Sequence, residues 1–293
     1  GAPPQGSRRR SAASVGGAIG QGILRTPGIA AQGAPDEVSF IFLWLGIGGF
    51  CLISAMSAAE LGPALPAAGG PYVFGRRAFG EFGGLLTGWI DGWNILLSIA
   101  FFGVVVAEYL HRLDLFSAMS PGAMAATFIL ACTLFNFTGP RFAGSWQTLL
   151  SVLKGLALAV LSLALFPFAP GGSAEPESQP KLATLISIAY ATRAVFSTYT
   201  GWTASLYYLE EVRSPERNVV LSLFGGIILV TIIYTLFNMA LLQALSLSEI
   251  AASNLPAAEA AQKVFGPLGD LAVTAFAVFS VMAIALLSVM LSG

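Results

Sequence analysis

The chain has 293 residues, 56% of them hydrophobic and only 10% Asp, Glu, Lys or Arg, and its mean hydropathy is +0.78. Soluble domains carry about 25% charged residues, so lipid rather than water must solvate most of this surface. The net charge of −1 excludes a nucleic-acid partner, since no basic field is available to neutralise phosphates. The lone His111 and the two separated cysteines, Cys51 and Cys132, match no zinc, cofactor or disulfide pattern.

A membrane-spanning helix needs about 20 mostly apolar residues. The charge-free runs predict eight such helices after a cytoplasmic tail over 1–11: about 12–34, 38–61, 82–110, 121–138, 144–167, 182–211, 217–245 and 268–292. Gly33-Ala34-Pro35-Asp36-Glu37 reads as a turn, and Ser214-Pro215-Glu216 as a helix start with Ser as N-cap. Gly70–Gly80, with Arg76 and Arg77, is too short and polar to span and is read as an interfacial segment. With the N-terminus placed inside, Arg8, Arg9, Arg10, Arg76, Arg77, Arg141, Arg213 and Arg217 fall on the inner side. Only Arg112, Lys181 and Lys263 fall outside, which is the bias expected of cytoplasmic loops. A first residue that is Gly rather than Met, and a last one that ends an apolar run, point to a piece of a longer protein. The transmembrane domain over 12–293 is therefore expected to be incomplete at its C-terminal end.

Two spans carry a break. Gly16-Gly17-Ala18-Ile19-Gly20-Gln21-Gly22-Ile23 places four glycines within seven residues of the first span, each costing a helix about 1 kcal/mol. Unwound backbone at membrane depth persists where it is buried or lines a cavity, and its free N–H groups can hold a carboxylate. The competing reading is close helix packing, because Gly16 and Gly20 form a small-xxx-small pair. Phe196-Ser197-Thr198-Tyr199-Thr200-Gly201-Trp202-Thr203 interrupts the sixth span with one Gly among hydroxyl and aromatic residues. Singly each break reads as packing. As a pair, five spans apart, they point to a solute site between two structural repeats.

Gly20-Gln21-Gly22-Ile23, Ala59-Glu60-Leu61-Gly62, Gly69-Gly70-Pro71-Tyr72-Val73, Tyr199-Thr200-Gly201-Trp202 and Glu210-Glu211-Val212-Arg213-Ser214-Pro215-Glu216-Arg217-Asn218 resemble the amino acid–polyamine–organocation permeases. The last stretch is most similar to their L-type amino acid transporter branch. The resemblance runs from about residue 12 to the end. It implies an all-α, LeuT-like bundle of two inverted five-helix repeats with broken helices 1 and 6, of which about eight helices are present. It also implies that backbone at Gly20, Gln21, Gly22 and Ile23 holds a substrate carboxylate, and that Phe196, Ser197, Tyr199, Thr200, Gly201 and Trp202 hold the amino group and gate the side-chain pocket. Two departures stand out: Gln21 occupies a position that is usually small, and Ser197 falls where a gating aromatic is usual, with Phe196 one place earlier.

Three charges fall in mid-span. A Lys at a helix centre costs about 2.5–3.5 kcal/mol on insertion scales, so Lys154 needs a partner or a hydrated cavity. The resemblance implies that Lys154 stands where sodium-coupled relatives bind sodium, reaching carbonyls near Gly17 and Ala18; snorkelling to an interface is the alternative. Arg193 is read as facing an acidic substrate or Glu108 in the outer vestibule, and Asp91 as pairing with an Arg or facing the inner cavity. Asn94, and less so Trp93, borders the pocket. Glu60, Glu210, Glu211, Arg76, Arg77 and Arg217 form either an inner gate or a solvated interface.

The reading that follows is a sodium-independent secondary transporter of amino acids, working by proton coupling or exchange in a cell membrane. The expected partners are an amino acid substrate, the bilayer and, as in some L-type relatives, a single-span accessory subunit. A permease for polyamines or other organic cations, and a non-transporting fragment, remain open. A channel requires a pore-lining ring and an enzyme requires a nucleophile–base set, a metal motif or a phosphate loop; none is legible in the sequence.

Overall fold

The computed structural model describes residues 22–65, 67, 69–116, 118–136, 140–166, 185–203 and 215–292. Among these every regular element is helical: α1 Gly22–Gly33, α2 Glu37–Ala64, α3 Pro71–Arg112, α4 Pro121–Asn136, α5 Pro140–Leu165, α6 Leu185–Tyr199, α7 Pro215–Ala244, α8 Leu247–Ala252, α9 Pro256–Phe265 and α10 Pro267–Ser292. Four stretches, Glu37–Gly62, Pro71–Arg112, Arg217–Ala244 and Pro267–Leu286, are long and apolar enough to cross a membrane. Pro121–Asn136 and Val152–Leu165 are shorter apolar helices.

Local sequence fixes where the helices begin. α3, α4, α5, α7, α9 and α10 each start on Pro, whose preset φ suits the first turn and whose missing N–H is not needed there. α2 is capped by Asp36, whose carboxylate accepts from Ser39 N–H at 2.7 Å. α8 carries a full capping box, Ser246 with Glu249. The segment read as interfacial, Gly70–Gly80, is a helical arm of α3. Gly80 breaks the helix with φ 77°, and the arm folds back so that Gly75 faces Thr87, Arg76 faces Gly84 and Tyr72 faces Gly88. The positive φ explains the reversal, which residues with a side chain adopt rarely.

The helices pack in three antiparallel pairs. α1 lies on α6, α2 on α7 and α3 on α10. The direction follows from the contacts: Gly22 meets Thr198 whereas Gly33 meets Ser187 and Ala191; Trp44 meets Tyr234 whereas Gly48 meets Thr231. Arg112 at the end of α3 reaches Asp270 at the start of α10 at 3.2 Å. Between membrane helices burial from water supplies no drive, so close backbone approach and hydrogen bonds must supply it. The centre of the first two pairs is aromatic: Trp44, Tyr199 and Tyr234 have ring centroids 5.1–6.4 Å apart. The outward faces carry large apolar side chains such as Phe42, Ile53, Phe82, Trp89 and Leu163.

Candidate functional site

The structure brings the two glycine-bearing segments together. At Gly22 an added Cβ would come within 2.5 Å of Thr198 Oγ1, so only a glycine lets α1 approach α6 this closely. The Thr198 hydroxyl lies 3.0 Å from both Thr26 Oγ1 and the Ala194 carbonyl. Ile23 is fully buried beside it. Past Tyr199, α6 tightens into a 3₁₀ turn over 200–203. Hydroxyls take up carbonyls around that turn: Ser197 donates to Ala194 O at 2.7 Å, Thr200 to Ser197 O at 2.8 Å and Thr203 to Thr200 O at 2.9 Å. Such side-chain bonds compete with the regular helix ladder, and they mark the break at Thr200-Gly201-Trp202. Gly16, Gly17, Gly20 and Gln21 lie outside the described residues.

The side chains of this stretch divide into two sets. Phe196 is partly buried and packs edge-on against Phe50, centroids 5.8 Å apart. Ser197 and Arg193, four residues apart, share the exposed face of α6. Tyr199, in contrast, is turned away from the α1 seam into the core. Its hydroxyl donates to the Trp44 carbonyl at 3.0 Å, because a phenol buried between helices needs a partner. Trp202 is buried beside Cys51 of α2. Asn94 is not drawn into this junction: it sits on an exposed stretch of α3, accepts from Ser98 Oγ at 3.4 Å, and α3 packs mainly on α4 and α10.

Lys154 is completely buried in α5, and its Nζ has no hydrogen-bond partner among the described residues. Snorkelling is therefore excluded, since a snorkelling ammonium stands at the surface. The backbone it was expected to reach, at Gly17 and Ala18, lies outside the described residues. Arg193 does not meet Glu108; that carboxylate takes Arg25 Nη1 at 2.6 Å. Arg76 takes Glu81 at 3.1 Å across the Gly80 break, and among the described residues it makes no ion pair with Glu60. Glu60, Arg77 and Arg217 are exposed and Asp91 is half-buried, while Glu210 and Glu211 lie outside the described residues. Among the described residues no cluster of His, Cys, Asp or Glu is suited to a metal ion.

Three features went unread in the sequence. One is the Arg25–Glu108 pair; the signal was that Arg25 is the sole charge between Ser11 and Pro35. The others are the α8–α9 connection, marked by Ser246 and Glu249 at capping-box spacing, and Asn238 of α7. Asn238 is fully buried, donates to Tyr234 O at 2.8 Å and leaves its Oδ1 without a partner among the described residues.

The family model described as "Amino acid permease" matches residues 10–293. The Serine/threonine exchanger SteT of Bacillus subtilis (strain 168) is 28% identical over 261 residues, 87% of this chain and 58% of that protein. Human Large neutral amino acids transporter small subunit 2 is 28% identical over 267 residues, 86% of this chain and 49% of its own length. Mouse Asc-type amino acid transporter 1 is 27% identical over 267 residues, 86% of this chain and 50% of its own length. The chain thus spans about half the length of the curated relatives it matches.

Proposed function

This chain belongs to the amino acid permease family of multi-pass membrane proteins, and from that premise we propose that it carries the solute-binding half of a secondary transporter for amino acids. The observation that carries this reading is the meeting of the start of α1 with the end of α6 at Gly22 and Thr198. Paired breaks in a transporter bundle leave helix ends and unwound backbone aimed at a solute. The N–H groups at the start of α1, around Gly22 and Ile23, suit a carboxylate. The 3₁₀ turn at Thr200-Gly201-Trp202 offers carbonyls for an amino group, and Ser197 and Phe196 stand at its edge. Tyr199 acts as a brace from within the core rather than as a ligand. Gly20 and Gln21 complete the carboxylate loop in this reading, and Gln21 narrows the pocket toward small or polar substrates.

The three antiparallel pairs, α1 with α6, α2 with α7 and α3 with α10, support two inverted repeats of a LeuT-like bundle, since a two-fold axis in the membrane plane pairs each helix with its inverted counterpart. Lys154 serves as the coupling cation: a fixed ammonium in the core stands in for a bound sodium ion, so transport runs by exchange or proton coupling. Its complete burial with no partner among the described residues supports this, because a charge inside a membrane bundle usually marks a functional site. The N-terminus is cytoplasmic in a cell membrane, Asp91 and Arg193 line the inner and outer approaches, and Asn94 flanks the pocket when the bundle moves. Glu60, Glu210 and Arg76 border the inner mouth. The relative whose name marks it a small subunit supports an accessory chain in the assembly. Counterflow by the full-length protein in liposomes tests the reading: saturable exchange of a preloaded neutral amino acid is expected, and non-saturable flux or none contradicts it.

A further inference from the structure

The described helices fall into two packed groups. α1, α2, α6 and α7 pack on one another, as do α3, α4 and α10. α5 and α9 lie between, each touching both groups. α1 and α3 barely meet along their backbones, yet Arg25 of α1 crosses to Glu108 of α3 at 2.6 Å. Glu108 is the sole acid between Asp91 and Asp114, with Arg112 one turn further along α3 already paired to Asp270, and Arg25 is the sole charge between Ser11 and Pro35. Neither helix offers the other charge a nearby substitute. Both side chains are partly exposed, at 25% and 47%, so neither is locked into the packed core. Tyr109, next to Glu108, is buried within electrostatic reach of Arg25, Glu108 and Arg112. Its hydroxyl has no hydrogen-bond partner among the described residues.

We propose that Arg25 and Glu108 form a latch that holds the α1 group against the α3 group and must open in each transport cycle. The proposal rests on the transport reading above. Its logic is mechanical: Arg25 sits one turn beyond Gly22 and Ile23, on a helix of 12 residues, so a ligand that reorients the start of α1 displaces Arg25. Alternating access is a rocking of one packed group against the other, and this pair spans the divide. The Tyr109 hydroxyl, without a partner among the described residues, is an alternative partner for either charge once they part. Pairs this exposed shift an equilibrium only about two- to fivefold, which suits a latch that must open repeatedly.

The test is amide hydrogen exchange on the full-length protein in liposomes, comparing wild type, Glu108→Gln, Arg25→Gln and the swap Arg25→Glu with Glu108→Arg. Each single change is expected to speed exchange of the α1 amides about two- to fivefold, leave the interior of α2 unchanged, and raise the substrate KM more than it lowers the maximal rate. The swap is expected to restore both. Unchanged α1 exchange, equal acceleration in every helix, or a swap that restores nothing overturns the latch. Because the exchange measurement needs no transport, a latch seen in a protein that moves no amino acid would count against the transport reading alone.

Discussion

Along the seam between α1 and α6, Gly22 and Gly33 let the two backbones meet, and Thr198 finds hydrogen-bond partners on both sides. In α5, Lys154 is just as deeply buried, yet its ammonium finds no partner among the described residues. The first region spends small residues to gain contact where no hydrophobic drive exists. The second keeps a group whose burial opposes stability. The contrast teaches which residues build the bundle and which the bundle must accommodate.

Breaking the packed region should have the largest effect on stability. Gly28 faces the backbone carbonyls of Ser253 and Ile250, which cannot rotate aside. Gly28→Ala is therefore expected to destabilise by about 3 kcal/mol, the upper end for overpacking, and Gly22→Val by somewhat less because the Thr198 side chain can shift. Thermal unfolding in detergent checks both: a wild-type Tm for Gly28→Ala would contradict the close approach of α1 to α8, and a wild-type Tm for Gly22→Val would contradict the α1–α6 seam. Lys154→Met should act in the opposite direction, raising stability by about 2–3 kcal/mol as the cost of a buried charge is removed, while transport is lost. Tyr199→Phe sharpens the distinction between brace and ligand. Losing the bond to the Trp44 carbonyl should cost about 1 kcal/mol of stability and leave the substrate KM unchanged, whereas a large rise in KM would restore Tyr199 to the site.

The smallest effect is expected outside the membrane. The Glu249 carboxyl is held below its usual range, first by the backbone N–H of Ser246 and also by Lys263. Its capping contribution is thus complete above the ordinary carboxylate range and is lost as pH falls through the lowered value. Amide exchange of α8 should quicken at acid pH in wild type. In Glu249→Gln it should be faster already at neutral pH and should respond less to acid.

Much of the helical plan was legible because charge-free length and the Pro at the start of α7 are local signals. The turn at Gly33–Glu37 could be read for the same reason. The folding back of the arm at Gly80 was not legible, since a single glycine in a polar run does not announce the direction of a reversal. In the site, Gly22 and the segment around Thr198 were singled out by composition, though not Thr198 itself, and which aromatic faces inward depends on tertiary contact: Tyr199 went to the core because Trp44 offers a carbonyl there. Ion-pair choice was only partly legible: Arg25 stands out as the sole charge of its span, but tertiary contact alone decides that it, and not Arg193, takes the Glu108 carboxylate.

The central claim is that a resident ammonium replaces a bound cation at a site made by two broken helices. Amino acid counterflow in sodium-free liposomes, with wild type beside Lys154→Ala, tests it most directly. Saturable exchange by wild type and its loss in Lys154→Ala are expected. Wild-type exchange that requires sodium, or Lys154→Ala exchange at the wild-type rate, would contradict it.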